Sequence, residues 1–544
     1  MDSIEIILVM LLAVVVSGYL VRALPFSMPL PLVQIGLGAV ISGAFNHGVT
    51  LDPGIFFLLF LPPLLFLDGW RIPKDGLFRD KGVILELALG LVVFTVVGAG
   101  FLIHWLIPSM PLPVAFALAA IVSPTDPIAV SSITARVQMP KRLMHILEGE
   151  SLLNDATGLV CFRFALAAAL TGSFSLASAS LIFIWVALAG IVIGIMVTAG
   201  ISFAQRVLSQ RLGEEAGSPI LINLLIPFGA YLLAERMHAS GILAAVAAGI
   251  TMSYVELSGR ALAATRVRRA VVWDMVQFML NGMMFVLLGE QLPGIVQAAS
   301  KSIAQSDHLN SWWLAFYALS IFAGLAILRF VWVWTSLHIN RFLSQRRGVQ
   351  ASKPHWRVVV ATSLAGVRGA ITLAGVMTLP LFMPDGSPFP ARDLTIFLAS
   401  AVILLSLIAA SIGLPRILKG LELPAENTEQ QEEDRARHGA ALAAIGAVEK
   451  AQQNLPHHAV DADIYTEAAA RVIGLYQHRV ESEAESSGAD QIRMADQVER
   501  TLRLAALAAE RQEIFQMARS GQISDATSRK IVREIDLIEA LYQK

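Results

Sequence analysis

The chain has 544 residues, of which 55% are hydrophobic and 15% charged, and its mean hydropathy is +0.64. A soluble domain carries charge on about a quarter of its residues, so this composition excludes an ordinary soluble protein of such length. The formal net charge of −1 hides an uneven distribution: residues 1–420 are apolar runs divided by short loops, and residues 425–544 are highly charged.

Apolar windows of about 17–25 residues are long enough to cross a bilayer as helices. In chain order they fall near 4–21, 29–45, 54–70, 83–107, 112–133, 148–170, 178–204, 218–235, 238–256, 272–290, 312–337, 356–379 and 393–418. The first begins MDSIEIILV, without a basic leader or small-residue cleavage site, and reads as a retained span. About thirteen spans, an odd number, place the termini on opposite sides. One alternating set of loops carries most of the basic residues, among them Arg71, Arg79, Lys141, Arg142, Arg206, Arg268 and Arg347. The other set carries only Arg236, Lys301 and Arg392. Positive loops stay cytoplasmic, so the N-terminus is expected outside and the tail inside.

The third window ends in LPPLLFLDGWR, where Asp68 is expected to be a solvated end residue. The fifth contains SPTDPIAV at 123–130, with Pro124 and Pro127 on either side of Thr125 and Asp126. Each proline removes a backbone donor and clashes with the preceding turn, so the span is expected to unwind near its middle. Half-helix ends and free carbonyls at membrane depth are a known way to build an ion site, and Asp126 can balance the positive end of a half-helix.

The sixth window opens with GESLLNDATGLV at 149–160. Glu150 and Asn154 are four residues apart, as are Ser151 and Asp155, so the four form two adjoining polar strips on one helix. Ionisable groups in a membrane are costly and mark functional sites by default. Asp155 with Ser151 is a small oxygen-lined site suited to a desolvated monovalent cation. Glu150 needs a cationic partner, for which Arg329 in the eleventh window is the candidate. Arg163, two turns beyond Asp155, is expected to snorkel to the interface, with pairing to a carboxylate as the alternative. Glu290 is likewise expected at an interface, and Asn281 as packing or lining.

The twelfth window carries GVRGAITLA at 366–374, with Gly366, Arg368 and Gly369 near its centre. Glycines let the backbone open, and an arginine can bond the exposed carbonyls. The fifth and twelfth windows are seven apart and cross in opposite senses, the arrangement of inverted repeats. The single cysteine, Cys161, excludes an intramolecular disulfide. HExxH, GxSxG and Walker A patterns are missing, so the chain is read as a transporter and not an enzyme. The tail shows helical periodicity, with Ile531, Ile535 and Ile538 as a stripe on its last segment.

At these residues the sequence resembles the monovalent cation:proton antiporter family, in its electroneutral sodium/proton exchanger branch. The motifs are LPPLLF at 61–66, SPTDPIAV, GESLLNDATGLV, ASGILAAVAAGI at 239–250 and GVRGAITLA. The resemblance implies a homodimer of thirteen-helix protomers in the plasma (inner) membrane, with unwound, crossing fifth and twelfth helices and a cytoplasmic tail of the kind that is often regulatory. It implies that Asp155 binds cation and proton, with Ser151 and the Thr125 backbone or hydroxyl completing the coordination. Asp126 then stabilises the crossing, Glu150 pairs with Arg329, Asn154 orients them, and Arg368 occupies the broken twelfth helix. Arg163 is not part of the pattern.

Such a site needs no cofactor and no nucleic acid; its partners are sodium or another monovalent cation, protons, lipid and a second copy. Desolvation disfavours a bare anion, so neutral loaded forms cross more easily and competition enforces exchange. Two readings remain beside sodium/proton antiport: a potassium/proton antiporter on the same fold and, more remotely, an ion channel or tail-driven sensor with a degenerate core.

Overall fold

The computed structural model describes residues 2–542 apart from 25–27, 45–52, 73–79, 135–138, 140, 173–175, 213–216, 258–262, 305–311, 347–355, 420–426, 454–466, 475, 478–488, 521 and 523–524. Arg79 and Arg347, used above for orientation, lie outside the described residues. The chain divides into two compact units, Met1–Glu422 and Leu423–Lys544.

The first unit is helical. Its elements are α1 Asp2–Ala23, α2 Leu30–Ala44, α3 Pro53–Arg71, α4 Lys81–Leu106, α5 Leu112–Val122, α6 Pro127–Thr134, α7 Lys141–Thr171 and α8 Leu176–Leu212. There follow α9 Ser218–Arg236, α10 Gly241–Leu257, α11 Ala263–Ala304, α12 Trp312–Arg346, α13 Trp356–Leu364, α14 Ala370–Met377 and α15 Arg392–Leu418. Among the described residues eight of these helices contain stretches long and apolar enough to cross a membrane, and α2, α5 and α10 contain shorter apolar ones. Large apolar side chains face outward along whole helices, for example Leu8, Leu12 and Tyr19 on α1 and Trp185, Leu188, Met196 and Phe203 on α8. That inversion of the soluble pattern is what lipid contact demands, and helices satisfy the backbone there internally. The protein is an all-α polytopic membrane protein.

Several helices overrun their apolar windows, α11 most of all. Its first turns carry Thr265 and Arg269, both buried. Arg269 lies 3.7 Å from Glu256 of α10, which also accepts the Trp70 indole N–H at 2.7 Å. The apolar window marks the length covered by lipid; helical hydrogen bonding continues past it where charged side chains find partners.

Packing sorts the helices into two bundles. In one, α11 lies along α2, α10 along α3 and α8, with α9 on α10 and α1 on α2 and α11. In the other, α4, α5 and α7 pack together, α12 lies on α4, and α15 gathers α6, α12, α13 and α14. The bundles meet where α15 and α14 touch α11, and α7 touches α3 and α10. Close approach needs small residues: a Cβ on Gly69 would fall 2.5 Å from the Val246 carbonyl oxygen, so α3 and α10 touch backbone to backbone there.

The second unit contains α16 Asn427–Gln453, α17 Ala489–Arg519 and α18 Asp525–Tyr542. Helices α17 and α18 pack together, burying Leu507 and Ile535, and Arg511 of α17 bonds Asp536 at 3.3 Å and also pairs with Glu539. The expected isoleucine stripe is therefore only partly internal: Ile535 is buried, but Ile538 is 46% exposed. The period identified an apolar face wider than the one neighbour that covers it.

Candidate functional site

Two helices break as the proline and glycine patterns led us to expect. Between α5 and α6 the residues from Ser123 to Asp126 leave the helix, and Pro127 begins α6, where its missing N–H costs nothing. Asp126 caps this second half, its Oδ1 accepting the Ala129 N–H at 3.4 Å. Between α13 and α14 the chain opens from Ala365 to Gly369. The two openings touch: the Asp126 N–H donates to the Val367 carbonyl at 2.7 Å.

Arg368 seals the crossing. Its N–H donates to Ser406 Oγ at 3.0 Å, Nε donates to the Val122 carbonyl at 3.0 Å, and Nη1 donates to the Gly366 carbonyl. Val122 ends α5, so the guanidinium stands at a helix C-terminus, where unsatisfied carbonyls and the dipole favour a cation. Asp126 occupies the opposite position, capping α6 and packing against Gly369, the residue that precedes α14. A side chain at Gly369 would overlap the Asp126 carboxylate, so glycine is required for this approach.

Helix α7 runs past the crossing and presents Glu150, Ser151, Asn154 and Asp155, all at least nine-tenths buried. Arg329 of α12 grips Glu150 with both ends of its fork, Nη1 to Oε1 at 2.5 Å and Nη2 to Oε2 at 2.8 Å. Its Nε donates to the Thr362 carbonyl on α13 at 3.2 Å, and Gly366 leaves room for the side chain. The Thr125 hydroxyl donates to Glu150 Oε1 at 3.2 Å and accepts from Asn154 Nδ2 at 3.0 Å. The structure thus brings Glu150, Arg329, Asn154 and Thr125 into one hydrogen-bonded network beside the crossing, with Arg368 bonded to both breaks.

Asp155 is different. It is 6% exposed, and among the described residues no hydrogen bond or ion pair engages its carboxylate. Ser151, one turn earlier on the same helix, is equally buried and its hydroxyl is similarly unengaged. Two further carboxylates, Asp126 and Asp68, act on Asp155 through space. Ser151 lines a cavity of about 620 Å³ between the bundles, together with Asp68, Glu148, Gln34 and Asn281, and with Arg71, His145 and Asp274. Asn281 is therefore lining.

Three placements correct the sequence reading. Asp68, expected at a solvated helix end, faces this cavity, because α3 continues to Arg71 and turns the residue toward α7. Glu290, expected at an interface, is 3% exposed, since α11 packs tightly along α2. Arg163 does not extend alone to the interface: it pairs with Glu235 of α9 at 3.1 Å. Glu148 was passed over altogether, yet His145, Glu148 and Ser151 recur at helical spacing on the cavity side of α7. That stripe was open to a periodicity argument.

The family model described as "Sodium/hydrogen exchanger, transmembrane" matches residues 9–420. The chain belongs to the sodium/hydrogen exchanger family. It is a multi-pass membrane antiporter exchanging sodium and protons. An Escherichia coli protein described as the uncharacterized Na(+)/H(+) exchanger YjcE is 42% identical over 98% of both chains. A sodium, potassium, lithium and rubidium/H(+) antiporter of Bacillus pumilus is 45% identical over 75% of this exchanger and 60% of its own length. The solved sodium proton antiporter MjNhaP1 of Methanocaldococcus jannaschii superposes with a TM-score of 0.56 at 19% identity, covering 77% of this chain and 99% of that one, which shows a common fold.

Proposed function

We propose that Asp155 is the carboxylate for which cation and proton compete, and that one-for-one exchange at this single residue makes transport electroneutral. The observation that carries this reading is the contrast on α7: a buried carboxylate, without a partner among the described residues, lies one turn from a buried hydroxyl that lines the cavity. A bare anion there is disfavoured by desolvation, so the site favours states in which a proton or a cation neutralises it. Only loaded states then pass between the two sides of the membrane, and exchange is obligatory.

In this reading Ser151 and Thr125 supply further oxygens to the cation. Asp126 and Arg368 neutralise the half-helix ends, while Glu150, Arg329 and Asn154 hold the break in register without carrying the ion. Arg71 and His145, at the ends of helices that run to the basic loops, are among the residues lining the cavity, which by the positive-inside rule puts it on the cytoplasmic side. The N-terminus is then outside, the tail inside, and the chain crosses the inner membrane about thirteen times as a homodimer.

Sodium or lithium is the proposed cargo. A broader cation range including potassium is the second reading, favoured by the Bacillus relatives named for four alkali cations. Purified protein in liposomes with an internal pH dye decides between them. Sodium and lithium are expected to evoke proton movement that a voltage clamp barely alters and that Asp155→Asn lacks. An equal response to potassium selects the broader range, and a sodium response retained by Asp155→Asn overturns the assignment. Because one proton competes with one cation, lowering pH by one unit should raise the apparent cation KM by up to about tenfold where the proton occupies the site.

A further inference from the structure

Arg163 is a charged side chain on α7 to which the antiport cycle gives no task. It stands eight residues past Asp155 and twelve past Ser151, so the cavity lies toward one end of the helix and Arg163 toward the other, roughly 12 Å beyond Asp155. Its partner belongs to the other bundle. Arg163 Nη2 donates to Glu235 Oε1 at 3.1 Å, across the seam where α7 meets α10 and the end of α9.

Glu235 is held in place on its own side. The same Oε1 accepts the Gly241 N–H at the start of α10, at 3.4 Å. The turn between α9 and α10 is fixed in turn to α8 by the Ser240 N–H on the Val186 carbonyl at 3.1 Å. Gly241 lies under the Tyr231 ring with no room for a side chain, which ties the corner down from α9. An anchored carboxylate on one bundle therefore holds a long cationic side chain on the helix that carries Asp155. The pair is half-exposed, so each member can exchange its partner for water at small cost.

We propose that Arg163 and Glu235 form the gate on the side opposite the cavity: their pairing closes the seam there, and they must separate for Asp155 to open to that side. The proposal rests on the antiport reading, since only an alternating site needs a second gate. It assigns a place in the cycle to a residue whose charge the ion site does not use. A pair that joins the bundles in one state and parts in the other biases the two populations without touching the cargo.

The test uses the full chain with Cys161→Ser, which leaves no native thiol, and with Arg163→Cys and Glu235→Cys. A short bifunctional thiol reagent is applied to the protein in liposomes. Crosslinked protein should exchange sodium for protons at least about tenfold more slowly, with recovery on reduction, because the closed-side population is locked. Failure of the crosslink to form, or full exchange by crosslinked protein, overturns the gate. A second arm needs no cysteine: Arg163→Glu and Glu235→Arg alone should each slow exchange, and the double reversal should restore it to within about twofold. Additive losses in the double variant count against the gate. If wild-type protein moves no protons with any alkali cation, the antiport reading has failed instead. Exchange by wild type together with an indifferent crosslink removes the gate alone.

Discussion

Glu150 and Asp155 are two carboxylates on one helix, five residues apart and both nearly inaccessible, yet their surroundings are opposite. Glu150 is gripped on both oxygens by Arg329 and receives the Thr125 hydroxyl as well. Among the described residues Asp155 has no such partner, and the charges acting on it are those of other carboxylates, Asp126 and Asp68. Burial alone therefore does not identify the working group. A charge that is fully paired belongs to the architecture, and a charge left unpaired beside a cavity is available to something that comes and goes.

The comparison breaks first at Asp155. Asp155→Asn keeps the shape and removes the charge, so exchange should fall to background while the folded yield stays near wild type. Cation-evoked pH change and size-exclusion recovery, read on the same preparation, check both halves. Glu150→Gln should do the reverse. It strands the Arg329 guanidinium in a buried place, a loss of about 3–5 kcal/mol in comparable buried pairs. Thermal unfolding in detergent should show a large drop, and whatever protein survives should keep its order of preference among sodium, lithium and potassium. Altered preference in abundant, stable Glu150→Gln would mean that Glu150 touches the cation and that the division drawn here is wrong.

Much of this division was legible in the sequence, because the chemistry is local. The breaks came from Pro124, Pro127, Gly366 and Gly369, whose backbone constraints act within a turn, and the polar strips came from spacing on one helix. Proline alone was a poorer guide. Pro62 and Pro63 sit inside a continuous α3. At Pro124 and Pro127 the chain opens because Asp126 caps the new helix and Arg368 bonds the end of the old one. What the sequence hid were facts of assembly. Asp68, Glu148 and Asn281 join one cavity, and Arg163 meets Glu235 seventy-two residues away, only because the bundles pack as they do.

Gly158 tests whether the break is held from outside. It lies on α7 one turn beyond Asn154, and a Cβ there would run into the Pro124 ring and come within 2.9 Å of the Ala120 carbonyl oxygen. Neither is a flexible chain end, so the unwound segment itself has to shift. Gly158→Ala should cost roughly 1–3 kcal/mol, in the range of overpacked cores. It should also weaken apparent cation affinity, because Thr125 and Asp126 move with Pro124. A stable variant with unchanged affinity would show that the break tolerates displacement and does not set the site.

The smallest expected effect is the most informative about Thr125, which touches both sides of the comparison. Its hydroxyl belongs to the Glu150 network, while its backbone lies in the opening beside Asp155. Thr125→Val removes the hydroxyl and keeps the shape, so two hydrogen bonds are lost, at roughly 1–2 kcal/mol in sum. Thr125→Ser keeps both and should behave nearly as wild type. If the valine variant melts earlier but retains its sodium KM, the hydroxyl serves the architecture alone and the carbonyl is the oxygen offered to the ion. If KM rises several-fold in the valine variant and not in the serine variant, the hydroxyl is shared between paired charge and cargo. The two carboxylates would then be coupled through one side chain, and the fully paired Glu150 would influence transport without ever binding what is transported.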